Sequence, residues 1–534
     1  AGSDTNDGSS AKPWKSLQAV IDGNKIASQG WDKTPYTTAS KLVAKNAGAP
    51  VKAGDTIWLR SGDHGALSIT GYYNTGNVTI AAEKGQTPKL SRVQIRSCAS
   101  WIIAGLDVRA EYAPTYSNAT LFTIEPNGFS GPTHDIVAQD CTLKSKADVA
   151  AWTKTDWDTL AADGFSVGGD AITIRNNRLQ HVDFGISVGA TKSLIEGNVV
   201  DSFSGDGMRG LGDGTVFQYN TVKNSRQVND NHCDGFQSWS VGADGKVGTG
   251  TVKGIVLRGN RFYNYDDPSL AFVSSMQGIG LFDGMYEDWV IENNVVITDH
   301  WHGISLYGAK NCRVVNNTVI DPNTVSPGPP WIKIENHKDG TAPTGNVVRN
   351  NLTMDLALTA TGVAEDHDLK IKTTDFAALF VDAAKYDLHL LPTATAARDK
   401  GSSDLAPAID LDGIARPQGA AVDLGAFEWH EPGVVPADAG AIDSAVADGA
   451  TLDGAVPDGA TGGDAATGAD ASPGDGGEIA PSEGASGCGC RVARPSTHHV
   501  WTLAALVVLA LHRRRTRRDE RARSARGMRC AQPS

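Results

Sequence analysis

The chain is poor in much of what marks the common protein classes. Cysteine is scarce and scattered. Cys98, Cys141, Cys233 and Cys312 stand alone in the first 430 residues, and Cys488, Cys490 and Cys530 come near the end. With no C-x-x-C pair among the first four, the spacing argues against a zinc site and excludes a dense disulfide framework, and these thiols read as small buried hydrophobes. Aromatics reach only 7%. Basic charge is short as well, 48 Lys and Arg against 61 Asp and Glu, for a net charge of −13. The deficit is uneven. Residues 431–487 hold eleven acids and no Lys or Arg, and residues 488–534 hold eleven Arg and two acids, so residues 1–430 carry −13 + 11 − 9 = −11. An acidic body of this kind argues against nucleic acid as the partner. A polyanionic ligand would need a local basic patch or a bridging cation. What is abundant is glycine, 60 residues of 534, which suits short strands and tight turns better than helices.

The ends carry sorting features. The sequence opens AGSDTNDGSS without Met, as expected of a secreted protein after removal of its signal peptide. Beyond residue 430 the chain changes character. Residues 431–487 are rich in Ala, Gly, Asp and Pro, with Asp443, Asp448, Asp453 and Asp458 five apart, and read as an acidic disordered linker. Residues 488–534 begin with CGC, continue with VWTLAALVVLAL over 500–511 and then carry an arginine cluster. Twelve apolar residues fall short of the roughly 17–25 of a stable membrane span. The order of cysteine pair, short apolar helix and arginines resembles the C-terminal surface-sorting signal of myxobacteria. That resemblance implies contact with membrane or sorting machinery and display on the outer surface of a Gram-negative cell. A plain single-span anchor is the alternative, and both place the body outside the cytoplasm.

The body, 1–430, is a repeat. An apolar-x-x-Asn pattern followed by alternating apolar residues recurs in ITIRNNRL, SLIEGNVV, TVFQYNTV, IVLRGNRF, WVIENNVV, CRVVNNTV and NVVRNNLT. It aligns Asn177, Asn198, Asn220, Asn260, Asn294, Asn317 and Asn351 at spacings of 21, 22, 40, 34, 23 and 34. A unit of about 22 residues with period-2 strands cannot bury a face alone, but stacked copies share one core. The reading is an all-β fold, a right-handed single-stranded parallel β-helix. The asparagines are expected to take the left-handed conformation at turns and to bond to one another along the axis. A leucine-rich horseshoe is excluded, because no helical segments separate the strands. AGDTIWLRSGDHG (53–65), preceded by an amphipathic cap around Trp14–Ile26, resembles the first coil of secreted β-helix proteins, and residues 410–429 resemble the segment that closes them. That fold hosts lyases, hydrolases, epimerases and adhesins alike.

After each asparagine turn comes a second strand: GISVGA, GMRGLG, GFQSWS, GIGLFDG, GISLYG and WIKIEN. Alternation sends Ile186, Met208, Phe236, Ile279, Ile304 and Ile332 inward, and Ser187, Arg209, Gln237, Gly280, Ser305 and Lys333 outward. Two positions on, Trp239, Phe282, Tyr307 and Glu335 also face out. Asp206, His232, Asp234, Gln277, His300 and His302 lead into these strands. The insertions at 221–233, 240–251 and 261–277 flank the same face and are expected to wall a cleft. Coils about 4.8 Å apart match the rise of a sugar chain. Gln237, Trp239, Gln277, Phe282, His300 and Tyr307 are the candidate substrate contacts, with Gly280 leaving room for close approach.

Four chemistries fit. A polysaccharide lyase acting on a uronic-acid polymer needs a base for the C5 proton, a cation on the carboxylate and an acid for the leaving oxygen. His302, His232 and Lys333 are candidate bases and Arg209 the neutraliser, with His302–Lys333 or His232–Arg209 as working pairs. By resemblance of fold, calcium is a candidate cofactor held by Asp206, Asp234 and Asp283; no organic cofactor is indicated. A uronan C5-epimerase starts from the same proton abstraction. A hydrolase is the runner-up: Asp234 in CDG, Asp283 in FDG, His302 in HG and Lys333 in IKI resemble, in order, the motifs of the polygalacturonase family. His232 and Cys233, Phe282, Trp301 and Trp331 stand where that family has Asn-Thr, Asp, Gly and Arg. In that reading Asp234 and Asp283 form the carboxyl pair of an inverting mechanism, roughly 6.5–9.5 Å apart. A surface protein that binds glycans without cleaving them is the fourth. A monomer is expected.

Overall fold

The computed structural model describes residues 2–436, except 324, 359 and 360. The acidic linker and the sorting segment therefore lie outside the described residues. Among those described, no helix is long and apolar enough to cross a membrane. The architecture is a right-handed parallel β-helix. Each coil gives one strand to each of three long sheets of 14, 12 and 11 strands. Stacked inward residues such as Ile95, Ile124, Val167, Val188, Ile279, Ile304 and Ile332 form one continuous core. A helix, α1 (Leu17–Asp22), buries Leu17, Val20 and Ile21 over the first coils. The four described cysteines are free and buried in this stack. Burial lifts the thiols of Cys98, Cys141 and Cys312 to about 12, which leaves them unreactive.

The seven aligned asparagines form a single buried ladder. Each Oδ1 accepts the backbone N–H and the side-chain Nδ2 of the asparagine one coil earlier, from Asn177 on Asn198 to Asn317 on Asn351, at 2.8–3.0 Å. Asn351 passes the pattern to Asp368. The left-handed residue is not the ladder asparagine but the one before it: Asn176, Gly197, Tyr219, Gly259, Asn293, Asn316 and Asn350 have φ between 53° and 63°. The expectation of left-handed ladder asparagines is corrected accordingly. The turn sits one residue early, which frees the following amide to point inward and stack.

Residues 410–429 do not close the end of the helix. They fold back along its flank, packing Leu411, Leu424 and Phe427 with Val295, Ile297, Ile320 and Leu352 of the 12-stranded sheet. The left-handed Asn293 and Asn316 donate to the carbonyls of Ile409 and Asp423, tying the returning segment to successive turns. A buried Arg416–Glu428 pair at 2.8 Å, with Glu428 also accepting from Gln418 N and Asp423 N, holds this segment's shape.

Candidate functional site

Six strands carry the face: β1 (Ile186–Val188), β2 (Met208–Gly210), β3 (Asp234–Trp239), β4 (Gln277–Asp283), β5 (His302–Tyr307) and β6 (Trp331–Glu335). Their register aligns Ile186, Met208, Phe236, Ile279, Ile304 and Ile332 inward, and Ser187, Arg209, Gln237, Gly280, Ser305 and Lys333 in the neighbouring column, as the alternation requires. A glycine precedes the inward residue in five of the six, and for a reason. A Cβ on Gly185 or Gly278 would fall 2.2 or 2.3 Å from the carbonyl oxygen of the glycine in the next coil. In three of the five the residue before the glycine leans along its own strand and meets the outward residue three positions on. Asp206 accepts Nε and Nη2 of Arg209 at 2.7 and 2.6 Å. Asp234 accepts Nε2 of Gln237 at 3.1 Å. His302 Nδ1 lies 2.8 Å from Ser305 Oγ.

Loops wall this face on both sides. Past the strand starts, segments 146–161, 226–233 and 264–276 share a small core of Val149, Trp157, Ala161 and Val228, with Trp152 and Phe272 packed against it. Helix α2 (Lys154–Leu160) carries Trp157 into that core, and Arg226 lies 4.7 Å over its ring while bonding to Ala271 O. Past the strand ends, Ser240 bonds to Gly250 and Lys338 pairs with Asp283. Two of the three walling segments at the strand starts were legible as insertions; the 146–161 wall was not.

Within these walls the face divides. Over β2 to β4 it is closed: Asp206, Arg209, Asp234, Gln237, Gln277 and Phe282 are all buried. Arg209 is corrected from carboxylate neutraliser to internal partner, since its guanidinium is paired with Asp206 and lies 3.5 Å from the Phe184 ring and 5.2 Å from that of Trp239. Trp239 is half-buried on it. The His232–Arg209 pairing thereby lapses. Gly280 does not leave room for a ligand either. A β-bulge sets Ser238 against Leu281 and Trp239 against Asp283, which makes Phe282 the extra residue. The Phe282 ring and Asp234 Oδ1 both lie 2.5 Å from where a Gly280 Cβ would stand. Gln237 and Gln277 are likewise beneath the surface, and their Oε1 atoms and Asp234 Oδ1 are buried without a hydrogen-bond partner.

Over β5 and β6 the face opens. His300 and His302 stack at 5.3 Å and 21°, His302 meets Phe282 and Trp331 edge-on at 4.8 and 5.4 Å, and Tyr307 packs on Phe282 at 5.3 Å. Lys333 sits opposite Ser305 in the next coil, 3.3 Å from Glu335. Burial, joined by the charges of His300, Lys333 and His232, pushes His302 down to about 3. Burial, joined by His232, pushes His300 down to about 4. Both rings are therefore neutral near pH 7, and His300 Nδ1 accepts the backbone N–H of His302 at 3.1 Å. His232 Nδ1 lies 3.3 Å from Asp234 Oδ2, and burial first of all holds the Asp234 carboxyl above the usual carboxylate range.

The carboxylate pairings read from sequence do not assemble. Asp234 is set against Gln277 at the start of its strand, whereas Asp283 is set against Trp239 at the end. Five residues of strand, roughly 16 Å at about 3.3 Å each, separate the two positions, far beyond the spacing of an inverting pair. The same separation splits the calcium triad. Asp206 touches Asp234 through its N–H at 3.1 Å but is committed to Arg209, and Asp283 is committed to Lys338. Among the described residues no three His, Cys, Asp or Glu side chains gather as a metal site. These carboxylates do not fit a calcium ion. Two residues at the open end were missed: Trp301, 45% exposed, and Trp331, whose rings stack at 6.3 Å and 14°. Their signal was available, since both stand where the polygalacturonase-like motifs have Gly and Arg.

The model of the family described as right handed beta helix region matches residues 163–352. No curated protein matches the chain by sequence. Among solved structures the chain is similar to pectate lyase Pel9A (13% identity, 80% of this chain and 94% of that chain covered, TM-score 0.38). It is also similar to the A-module of the mannuronan C-5 epimerase AlgE6 of Azotobacter vinelandii (14%, 67% and 94%, TM-score 0.42) and to a PL6 alginate lyase in complex with a trisaccharide (14%, 61% and 81%, TM-score 0.36).

Proposed function

We propose that the protein is a polysaccharide lyase that cleaves a uronic-acid polymer by β-elimination at the open end of the face. The observation that carries the reading is a half-buried, neutral His302 whose hydroxyl partner, Ser305, stands in register with Lys333 of the next coil. Lys333 takes the uronate carboxylate and so stabilises the charge that develops when the C5 proton leaves. His302 accepts that proton. The electron pair closes the C4–C5 double bond as the C4–O bond breaks. The leaving oxygen takes a proton from the His232–Asp234 pair, in which the raised carboxyl and the imidazole hold one between them. An arriving uronate carboxylate favours the imidazolium of His302 and raises its basicity towards the working range. No step runs through calcium.

The test is incubation of the full chain with polygalacturonate, alginate, hyaluronan and chondroitin sulfate, following absorbance of the unsaturated product and reducing ends in parallel. Both should rise together. His302→Ala and Lys333→Ala should each lower turnover by about 10²–10⁴-fold with an unchanged circular dichroism spectrum. Reducing ends without the chromophore would mean hydrolysis and overturn the reading. Exchange of the C5 proton without chain cleavage would replace it by epimerisation.

A further inference from the structure

Trp301 presents one of the few large apolar side chains that the described residues leave open to solvent. It is held in place. Its carbonyl accepts the N–H of Gly303 at 2.9 Å and of Trp331 at 2.8 Å, and its ring lies nearly parallel to that of Trp331. Trp331 in turn donates Nε1 to Ser305 Oγ at 3.2 Å, the oxygen that stands 2.8 Å from His302 Nδ1. His300 meets the Trp301 ring edge-on at 5.8 Å. A fixed, flat indole thus stands beside the histidines, with Lys333 5.5 Å from the Trp331 ring. Trp58, exposed to 61%, has no ring neighbour among the described residues and no such setting.

A rigid exposed aromatic in a wall of polar groups is placed to bind rather than to pack. The occupant its surroundings favour is a pyranose ring. One face of such a ring presents C–H groups that lie against an indole, while its rim presents hydroxyls and a carboxylate that reach imidazole and ammonium groups. We propose that Trp301 forms a sugar-binding subsite next to the position of bond cleavage, holding the residue adjacent to the one whose C5 faces His302. This deepens, and rests on, the reading of the face as a polysaccharide cleft. Trp331 is the positioning residue between the two, since one hydroxyl, Ser305 Oγ, serves both its indole N–H and His302.

Binding and turnover test it separately. Full-length His302→Ala protein is run in native gels containing polygalacturonate, alginate, hyaluronan, chondroitin sulfate or hydroxyethylcellulose. Retardation by at least one polymer is expected. Adding Trp301→Ala should weaken that binding about ten-fold, Trp301→Phe should restore most of it, and Trp58→Ala should change nothing. In the active protein Trp301→Ala should raise KM about ten-fold with kcat unchanged. Retention by the double variant as strong as by His302→Ala, or retention by no polymer at all, overturns the subsite. So does a sedimentation coefficient that falls on Trp301→Ala, which assigns the ring to self-association. Trp301-dependent binding without turnover leaves the subsite standing and sinks the elimination, and turnover with Trp301-independent binding does the reverse.

Discussion

Two columns of buried polar side chains run parallel along the helix axis. In the first, from Asn177 to Asn351, every described ladder amide is spent: Asn260, for instance, donates Nδ2 to Phe217 O and to Asn294 Oδ1 and receives two N–H groups from Asn220. In the second, over β2 to β4, Asp206 is satisfied by Arg209 and the Asp234 N–H, but Asp234 Oδ1, Gln237 Oε1 and Gln277 Oε1 are buried without a partner. Both columns arise from one repeat and the same coil spacing. The first stabilises the stack. The second leaves acceptors unsatisfied, which costs stability and is tolerated where a protein does chemistry. Burial of a polar residue therefore does not separate the two columns; the completeness of hydrogen bonding does, from Asn177 to Asn351 on one side and over Asp234, Gln237 and Gln277 on the other.

The comparison breaks most visibly in the ladder. Asn260→Ala strands the two N–H groups of Asn220 and the carbonyl of Phe217, while Asn294 Oδ1 keeps only the backbone N–H of residue 260. Unsatisfied buried groups cost about 1–3 kcal/mol each before relaxation, so a loss of about 4 kcal/mol in urea unfolding is expected. Turnover per folded molecule should not move. A loss under about 1 kcal/mol would show that the ladder is ornamental.

The ladder's last member sharpens the point. Asp368 takes both N–H groups of Asn351 on Oδ1, leaves Oδ2 buried, and is raised to about 7, first by burial. In the unfolded chain it ionises near 3.9, so between about pH 4 and 7 the folded state holds the extra proton. Its contribution must then fall as pH rises through that window. Asp368→Asn keeps the acceptor and cannot ionise. Thermal unfolding of the variant across pH 4–7 should show a shallower decline than the parent, by a difference of about 3 kcal/mol over the window at about 1.4 kcal/mol per unit. Parallel curves would assign the slope elsewhere.

Gly280 tests the closed half of the face. A methyl group there meets Asp234 Oδ1 and the Phe282 ring at 2.5 Å. Overpacking of this kind costs typically 1–3 kcal/mol, so Gly280→Ala should lose about 2 kcal/mol, and the same change should cost less in a Phe282→Ala background than in the parent. An equal cost in both backgrounds would assign the clash to Asp234 and not to the Phe282 ring.

The fold was legible in the sequence because one residue type marks its period. Asn177 to Asn351 fix the coil length, and once that is known, alternation alone puts Ile304 inward and Ser305 outward. The site was legible only where it keeps that rule. Lys333 does, standing opposite Ser305, whereas His302 lies before a register irregularity that sets it against Trp331. Asp283 does not, because a single extra residue, Phe282, shifts the strand beyond Ser238, and nothing in FDG distinguishes a bulge from a continuing strand. Arg209 was misread because what covers it, Phe184 and Trp239, comes from neighbouring coils. The wall at 146–161 was missed because it has a core of its own, outside the repeat.

The smallest expected effect separates the columns best. Asp234 and Asp368 are both buried carboxyls raised above the ordinary range, and both should depress stability as pH rises from about 4. Asp234→Asn removes a charge that burial disfavours. It can still accept from Gln237, and its new N–H₂ can donate where Oδ1 had no partner, so a gain of about 1 kcal/mol at pH 8 is expected in urea unfolding. The gain should vanish near pH 4, where the parent carboxyl is protonated too. Turnover should fall in the same variant, whereas Asp368→Asn should leave it unchanged. A stabilised Asp234→Asn protein with undiminished turnover would place Asp234 with the scaffold and remove it from the proton-holding pair with His232.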